Sequence, residues 1–405
     1  MLKRYFLNNK KRNFSTASIW IKGGSDMDST GKKGINKILC SLLTRGCEGF
    51  NNFTLSEYIE SYGAELNQEI FEDGISISIK SLNEHFSKLF PLLDLIINKP
   101  ILSETEFKKV KKSSIDHIKK DKENPFNICF EKWRKIVYSN HPYAFNTIGN
   151  ANDVSKITYE DVLLEFKNFK NREKYLISNN PEINGENFGT LEKKILKEKS
   201  DPLNHNLNTT NRFDYINNDS NQTIIMMGDQ TCSRRSSEYF PLKVLESYLS
   251  YGMSAALFKL FREKHGITYD LGVYYPIRSG NAPFLIYLSV SNDQALFAFE
   301  LLSTLWKNLL LNPLTDAEIF LAKEKLKGSF LLGNQSLDEI LQRKIQLVSY
   351  GISPISENDL NSKIEEISSL DILKLTNKYF SKPFLSISGN KNICLEISNR
   401  WKKNF

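Results

Sequence analysis

The chain has 405 residues, which is too long for one ordinary core and predicts two or three domains of about 100–200 residues each. Hydrophobic residues make up 40% of it and charged residues 25%, which is the composition of a folded globular protein. The net charge of +7 comes from scattered lysines with no basic stripe among aromatic residues, and this disfavours nucleic-acid binding.

The cysteines are widely separated and form no C-x-x-C motif, which favours free thiols in a reducing compartment. They are Cys40, Cys47, Cys129, Cys232 and Cys394. No apolar run approaches the ~18 residues that a membrane span needs. The basic N-terminus lacks the continuous apolar segment of a secretory signal. We therefore expect a cytoplasmic protein with no membrane partner.

The first half of the chain predicts strands followed by a pair of helices. Residues 15–24 have the composition of a core strand, and residues 74–82 form a second β-like run. In residues 89–115, apolar residues at helical spacing are followed by Pro100, which ends the first helix. Ser103 is then placed to cap a second helix, with Glu106 in the capping-box position three residues later.

The second half repeats this arrangement. Residues 284–291 are β-like, and residues 301–330 contain an amphipathic helix that ends before Pro313. Thr315 and Glu318 occupy the positions of a second capping box. The two copies are about 213 residues apart, and because the unit occurs only twice it predicts two homologous domains rather than a solenoid.

The joint between the halves lies in a polar, Asn-rich stretch. Residues 191–200 predict the last helix of the first half, and residues 201–221 predict a linker. The expected domains are therefore residues 1–200 and 222–405. Each should be an α+β domain, with a mostly antiparallel sheet and helices packed on one face.

Four stretches, in the expected order, carry a resemblance to a known family. They are WIKGGSDMD (20–28), GINKILCSLLTRG (34–46), the segment 124–150 with its His-Pro-Tyr, and the segment 248–275 with its Arg-Glu-Lys turn. Together they resemble a small two-domain subunit of the pitrilysin/insulinase-like (M16) metallopeptidase family. The resemblance covers essentially the whole chain and implies two domains of the LuxS/MPP-like metallohydrolase type.

The family's catalytic motif is H-x-x-E-H on a helix. The two histidines, four residues apart, share one helix face and can both bind one zinc ion. The glutamate between them acts as general base on the metal-bound water, and a glutamate from a later helix completes the site.

This motif is absent here. The glycines at both ends of 34–46 align the motif positions with Lys37, Cys40 and Ser41. The resemblance places the later glutamate about eight residues before Pro125, where this chain has His117 with Asp116 beside it. A lysine ammonium repels a metal cation, and serine is a poor zinc ligand. The resemblance therefore implies that this chain holds no zinc.

Lys37 and Cys40 are three residues apart and could meet on a helix, where the ammonium would lower the thiol pKa. The alternative is a helix that kept its packing after its ligands were lost, since Ile38 and Leu39 supply an apolar face regardless. We favour the packing interpretation.

The second half retains a different family feature, Arg262 followed seven residues later by Tyr269. The resemblance implies that this pair lies across the chamber from the zinc and binds the substrate backbone and the tetrahedral intermediate. A guanidinium and a phenol O–H both suit a developing oxyanion. Gly266 is placed to end the preceding helix. The alternative is that Arg262 favours a helix end electrostatically and Tyr269 packs in a sheet.

These features predict a non-zinc subunit, inactive alone, that pairs with an H-x-x-E-H-bearing paralogue as a heterodimer. The paralogue would carry the zinc, and unfolded peptides would bind by adding a strand to a sheet edge. Two alternatives stay open. One is a catalytically inactive structural or interaction protein, as in the respiratory-complex core subunits that share the fold. The other is an independent peptidase with a remodelled site at Cys40 or His117.

Overall fold

The computed structural model describes most of the chain. It describes residues 2–6, 13–180, 189–190, 211–218, 220–268, 270–332, 336–352 and 357–405. The predicted helix at 191–200 lies outside the described residues.

The chain divides into two compact units, and each unit takes one segment from the other half of the sequence. The first unit comprises residues 1–120, 145–200 and 333–354, and the second comprises 121–144, 201–332 and 355–405. The units therefore differ from the contiguous domains 1–200 and 222–405 that the sequence predicts. The predicted linker at 201–221 contains a strand of the second unit's sheet.

The strands of the first unit form a six-stranded sheet and a short hairpin. They are β1 (Leu2–Phe6), β2 (Phe14–Lys22), the hairpin β3 (Gly46–Cys47) and β4 (Phe50–Asn51), β5 (Glu65–Ile70), β6 (Gly74–Leu82), β7 (Lys174–Ser178) and β8 (Gly189–Thr190). The sheet order is β5-β6-β2-β7-β1-β8. The β5-β6, β6-β2 and β2-β7 pairs are antiparallel, and β1 runs parallel to β7 and β8.

The second unit repeats this topology. Its strands are β9 (Phe213–Asn217), β10 (Gln222–Gln230), β11 (Asp270–Tyr274), β12 (Pro283–Ser291) and β13 (Phe384–Gly389). Their order is β11-β12-β10-β13-β9, with β9 parallel to β13 and the other neighbours antiparallel. Five strands of the first sheet, in the order β5-β6-β2-β7-β1, match the second sheet in order and direction, and β8 has no counterpart among the described residues. The match confirms the predicted duplication and the α+β fold class.

The helices follow the same duplicated order. In the first half they are α1 (Ile35–Leu43), α2 (Asn52–Ser61), α3 (Asn83–Leu89), α4 (Pro91–Asn98), α5 (Glu104–Asp121), α6 (Pro125–Tyr138), α7 (Ala151–Lys156) and α8 (Tyr159–Lys170). In the second half they are α9 (Tyr239–Ser250), a wide π-type helix (Phe258–Lys264), α10 (Ala295–Leu311), α11 (Asp316–Leu332), α12 (Leu337–Ser349), α13 (Glu357–Glu365), α14 (Ser369–Phe380) and α15 (Lys391–Asn404). We call the π-type helix the Arg262 helix.

Alternation along β2 decides which helices cover each face of the first sheet. Ile19 and Ile21 join the core formed with α1 and its neighbouring helices. Trp20 points the other way and is fully buried with Leu341 and Ile345 of α12. Successive side chains of a strand face opposite sides, so α1 and its neighbours cover one face of this sheet and α12 covers the other. The expected helical layer on one face is therefore joined by a helix from the other half of the sequence.

The exchanged helix of the second unit is α6, which packs against β10 and β13. Its Cys129 Sγ lies 3.5 Å from Ser386 Oγ, and the Ser386 hydroxyl donates to the Cys129 carbonyl at 3.0 Å. α6 and α12 occupy corresponding places in the two halves of the sequence, so the exchange is itself part of the repeat.

The predicted helix boundaries are confirmed at both copies of the helix pair. The Glu106 N–H donates to Ser103 Oγ at 3.2 Å, which caps α5. At α11 the capping box is reciprocal: the Glu318 N–H donates to Thr315 Oγ1, and the Glu318 carboxylate accepts from the Thr315 N–H at 2.9 Å.

Candidate functional site

α1 is the helix on which the resemblance places the lost zinc motif, and its start is tightly fixed. Gly34 precedes it with a φ of +102°, a conformation that favours glycine. The Asp28 carboxylate accepts from the Gly34 N–H at 2.6 Å, and from the N–H and side-chain amide of Asn36 at 3.1 and 2.8 Å. A carboxylate near a helix N-terminus also interacts favourably with the helix dipole.

The motif positions differ in how deeply they lie in the first unit. Lys37 and Ser41 are half-buried, whereas Cys40 is completely buried. Burial raises the pKa of Cys40 to about 12, and the nearby Lys37 only partly opposes this. A thiol in this state is inert. The geometry favours a helix held by packing over a reactive-thiol site.

His117, at the position of the family's later glutamate, lies exposed on α5. Within the part of the chain that the structure describes, no three His, Cys, Asp or Glu side chains are grouped so that they could hold a metal ion. Lys37, Cys40, Ser41 and His117 therefore offer no geometric basis for a resident zinc among these residues.

The short turn before α1 carries a second carboxyl, the half-buried Asp26, that sequence reasoning did not identify. Burial and the nearby Asp73 charge raise the pKa of Asp26 to about 7, although a hydrogen bond from the Gly24 N–H and the charge of Arg172 oppose the shift. Asp73 in turn accepts a hydrogen bond from the Tyr350 hydroxyl at 2.9 Å. The acidic S-D-M-D run at 25–28 was its only sequence signal.

Beside α1 lies β5, the outermost described strand at one side of the first sheet. It pairs with β6 along one edge, and α1 packs against it. An outermost strand presents backbone N–H and C=O groups to which an extended peptide can add. Sequence reasoning did not identify β5. The available signal was that Leu66, Gln68 and Ile70 alternate with more polar or charged residues, as on one face of a strand.

The Arg262 helix lies in the second unit, and its candidate site residue Arg262 is exposed, unlike the motif positions of α1. Arg262 is exposed, with its guanidinium 4.8 Å from the centre of the Phe258 ring. Gly266 has a φ of +63°, and the Ile267 N–H donates to the Phe261 carbonyl at 2.9 Å, which confirms that the helix ends here. Tyr269 lies outside the described residues, so its role stays a prediction.

Comparison with known proteins supports the resemblance along most of the chain. The family model "Insulinase (Peptidase family M16)" matches residues 4–151. The model "Peptidase M16 inactive domain" matches residues 182–326.

Relatives of similar length match nearly end to end. An "Uncharacterized zinc protease" of Rickettsia felis is 23% identical over 370 residues, which cover 89% of this chain and 88% of the relative. The "Uncharacterized zinc protease YmxG" of Bacillus subtilis is 22% identical over 412 residues, covering 96% and 99%.

Solved structures share the fold. A peptidase M16 inactive domain from Pseudomonas fluorescens superposes with a TM-score of 0.82 at 20% identity, covering 95% of both chains. A protease from Helicobacter pylori gives the same TM-score and coverage at 17% identity. No described helix combines the length and apolarity needed to cross a bilayer. The two matched models of this family together span more than half of the chain and show that the chain belongs to the M16 (insulinase-like) peptidase family.

Proposed function

We propose that this chain is the non-zinc subunit of a heteromeric M16 peptidase, which supplies an Arg262/Tyr269 half-site to a zinc-bearing partner. The observation that carries the proposal is a contrast between two helices. α1 keeps its place in the core with Lys37, Cys40 and Ser41 at the motif positions, while Arg262 is exposed at the end of its helix. The chain would then contribute substrate binding, and the partner the metal and the general base.

The chemistry of Arg262 suits this role. A guanidinium is always charged and offers several N–H donors, so it can stabilise the negative oxygen of a tetrahedral intermediate. The stacking of Arg262 on Phe258 restrains its side chain without burying its charge. Tyr269 would add one O–H donor from the residue just before β11.

A sheet edge supports the proposed peptide substrate. Among the described strands, none pairs with the outer edge of β5, and strand addition there would recognise the peptide backbone rather than particular side chains. Such binding would tolerate many sequences, as the cleavage of unfolded peptides requires. We place this activity in the cytoplasm, because all five cysteines are free thiols.

One observation favours the second candidate, an inactive scaffold that uses the same fold. The part of the chain from 182 to 326, which includes Arg262, matches a model described as the inactive domain of the family. In that case the exposed arginine would serve binding between proteins rather than catalysis.

The test uses the chain alone and the chain mixed with an H-x-x-E-H paralogue from the same genome. We expect an unstructured peptide to be cleaved only by the mixture, with no stoichiometric zinc in the chain alone. Arg262→Ala should lower kcat/KM of the mixture roughly 100-fold or more, as expected for loss of one oxyanion donor. The complex should still form in size-exclusion chromatography.

Arg400→Ala on α15 is the matched control, because it removes the same charge from another partly exposed site in the second unit. It should leave cleavage unchanged. Cleavage by the mixture that is insensitive to Arg262→Ala would favour the scaffold. Stoichiometric zinc in the chain alone would contradict the account of α1.

A further inference from the structure

The second unit contains a cavity of about 330 Å³ that the proposed half-site does not use. It lies between α9, the Arg262 helix, α10 and α11. Its volume is within the range of about 300–1,000 Å³ that is typical of small-molecule sites.

Three lysines line this cavity. Lys259 and Lys264 come from the Arg262 helix, and Lys325 comes from α11. Among the described residues, none of the three makes an ion pair with a carboxylate. Burial and the neighbouring Lys259 charge lower the pKa of Lys325, so the cluster is electrostatically under-compensated. Such a cluster favours an anion.

The single carboxylate in the lining, Glu318, offsets part of the charge of Lys259 and leaves the three lysines in excess. Burial opposes ionisation of Glu318, but hydrogen bonds from Thr315 and from the Tyr248 hydroxyl outweigh it and lower the pKa of this carboxyl. Glu318 is therefore charged and already satisfied by hydrogen bonds. The lining therefore keeps an excess of positive charge, which attracts an anion.

The rest of the lining is mainly apolar. Leu260, Leu305 and Ala322 are buried or half-buried and contribute hydrocarbon surface between the lysines. A small inorganic anion would leave this surface wet, whereas a hydrocarbon group would remove it from water at a gain of roughly 25 cal/mol per Å². The lining therefore matches one charge joined to an apolar body.

We propose that this cavity binds a monocarboxylate carried on an apolar body, with Lys259, Lys264 and Lys325 holding the carboxylate and Leu260, Leu305 and Ala322 contacting the hydrocarbon. Two sources share this chemistry: the free C-terminus of a peptide ending in an apolar residue, and a free aliphatic acid. The inference is independent of the partner subunit, because every lining residue belongs to this chain.

The experiment titrates the isolated full-length chain by isothermal titration calorimetry at low salt. The probes are octanoate, an acetylated hexapeptide ending in Leu-Phe with a free carboxylate, and the same peptide as its C-terminal amide. We expect at least one acid to bind with a Kd of roughly millimolar or tighter. If the peptide is the ligand, amidation of its C-terminus should weaken its binding roughly tenfold or more, because amidation removes the charge that the lysines hold.

Lys325→Gln should weaken the affinity for the bound acid roughly tenfold, which is the loss expected for a hydrogen bond between charged groups. Lys307→Gln on α10 is the matched control, since it removes the same charge outside the cavity and should leave affinity unchanged. Preference for octanoate over the peptide acid would identify the free acid as the source, and the reverse would identify the peptide.

Three results would overturn the proposal. They are the absence of binding by either acid at millimolar concentration, equal affinity of the peptide acid and amide without octanoate binding, and equal weakening by Lys325→Gln and Lys307→Gln. Circular dichroism of each variant shows whether the fold is intact, and we expect it to be, because Lys325 is half-buried and Lys307 is exposed. Failure here would leave the proposed half-site standing, since that proposal is tested by cleavage in the mixture.

Discussion

The family resemblance predicts site residues on both α1 and the Arg262 helix, but the two helices place these residues in opposite environments. The second turn of α1 carries Cys40 at 0% exposure, within an apolar core that holds the helix without any metal ligand at the motif positions. The Arg262 helix presents Arg262 and Lys264 on its exposed surface. The difference teaches that packing can preserve a helix after its chemistry is gone, whereas an exposed cation is not explained by packing.

The largest effect is expected when the family's motif glutamate is restored at Cys40, in the buried one of the two helices. Cys40→Glu would place a carboxylate in a fully buried apolar site, and we expect a loss of about 3 kcal/mol or more in the free energy of unfolding. Urea denaturation of the purified chain measures it. Cys40→Ala, the control, removes the thiol without adding charge and should cost about 1 kcal/mol. Wild-type stability for Cys40→Glu would show that water reaches this position.

A matched pair of glycine substitutions compares the stability of the two helices at one end of each, at Gly34 before α1 and at Gly266 after the Arg262 helix. Gly34→Ala should cost about 2–3 kcal/mol, because it combines an unfavourable positive φ with a Cβ only 2.7 Å from the Ile148 carbonyl oxygen. Gly266→Ala has open space around its Cβ and should lose only about 1 kcal/mol from backbone strain.

Urea midpoints of both variants test this difference. Gly31→Ala is the control within the first unit, since Gly31 also has a positive φ of +79° and no atom within 4 Å of the added Cβ. It should behave like Gly266→Ala. Equal losses at Gly34 and Gly31 would mean that the start of α1 relaxes and is not held as tightly as its contacts indicate.

The smallest expected effect is a pH-dependent gain in the free energy of unfolding when Asp26, in the turn before α1, is replaced. The pKa of Asp26 is about 7 in the folded chain, above its unfolded value of about 3.9, so the folded state binds the extra proton between these values. The contribution of Asp26 to stability therefore falls as pH rises through this window. Asp26→Asn removes the charge but keeps an oxygen for the Gly24 N–H, and should add about 1–2 kcal/mol at pH 8 and nothing near pH 4.

Urea unfolding of the wild type and Asp26→Asn at several pH values measures this gain. Asp94→Asn on the exposed side of α4 is the control for removing a carboxylate and should show no such pH-dependent difference. A gain for Asp26→Asn that is constant from pH 4 to 8 would exclude titration of Asp26 as its cause.

Much of the fold could be predicted because it depends on local patterns. The strand predicted at 74–82 coincides with β6, and the run at 284–291 is β12 except for its first residue. The helix at 34–46 contains α1, and both predicted caps at Ser103 and Thr315 form. Alternation, helical spacing and capping residues act over a few positions, so a single sequence reveals them.

Part of the candidate site could be predicted for a different reason. The replaced zinc-motif positions and Arg262 were found by aligning short family motifs, which needs no knowledge of packing. Such alignment does not reveal whether a side chain is buried, so the inert state of Cys40 and the exposure of Arg262 required the structure. The lysines of the cavity come from separate helices, and their approach has no signal in the sequence.

The sequence by itself determined the duplication, the fold class and the loss of the zinc motif, because each depends on residue types at short spacing. Only the tertiary structure decided that α6 and α12 belong to the units of the opposite halves. An amphipathic helix shows in its sequence that one face must be buried, but not which sheet will bury it. The same limit applies to Lys259, Lys264 and Lys325, since long-range packing alone brings charges from different helices around one cavity.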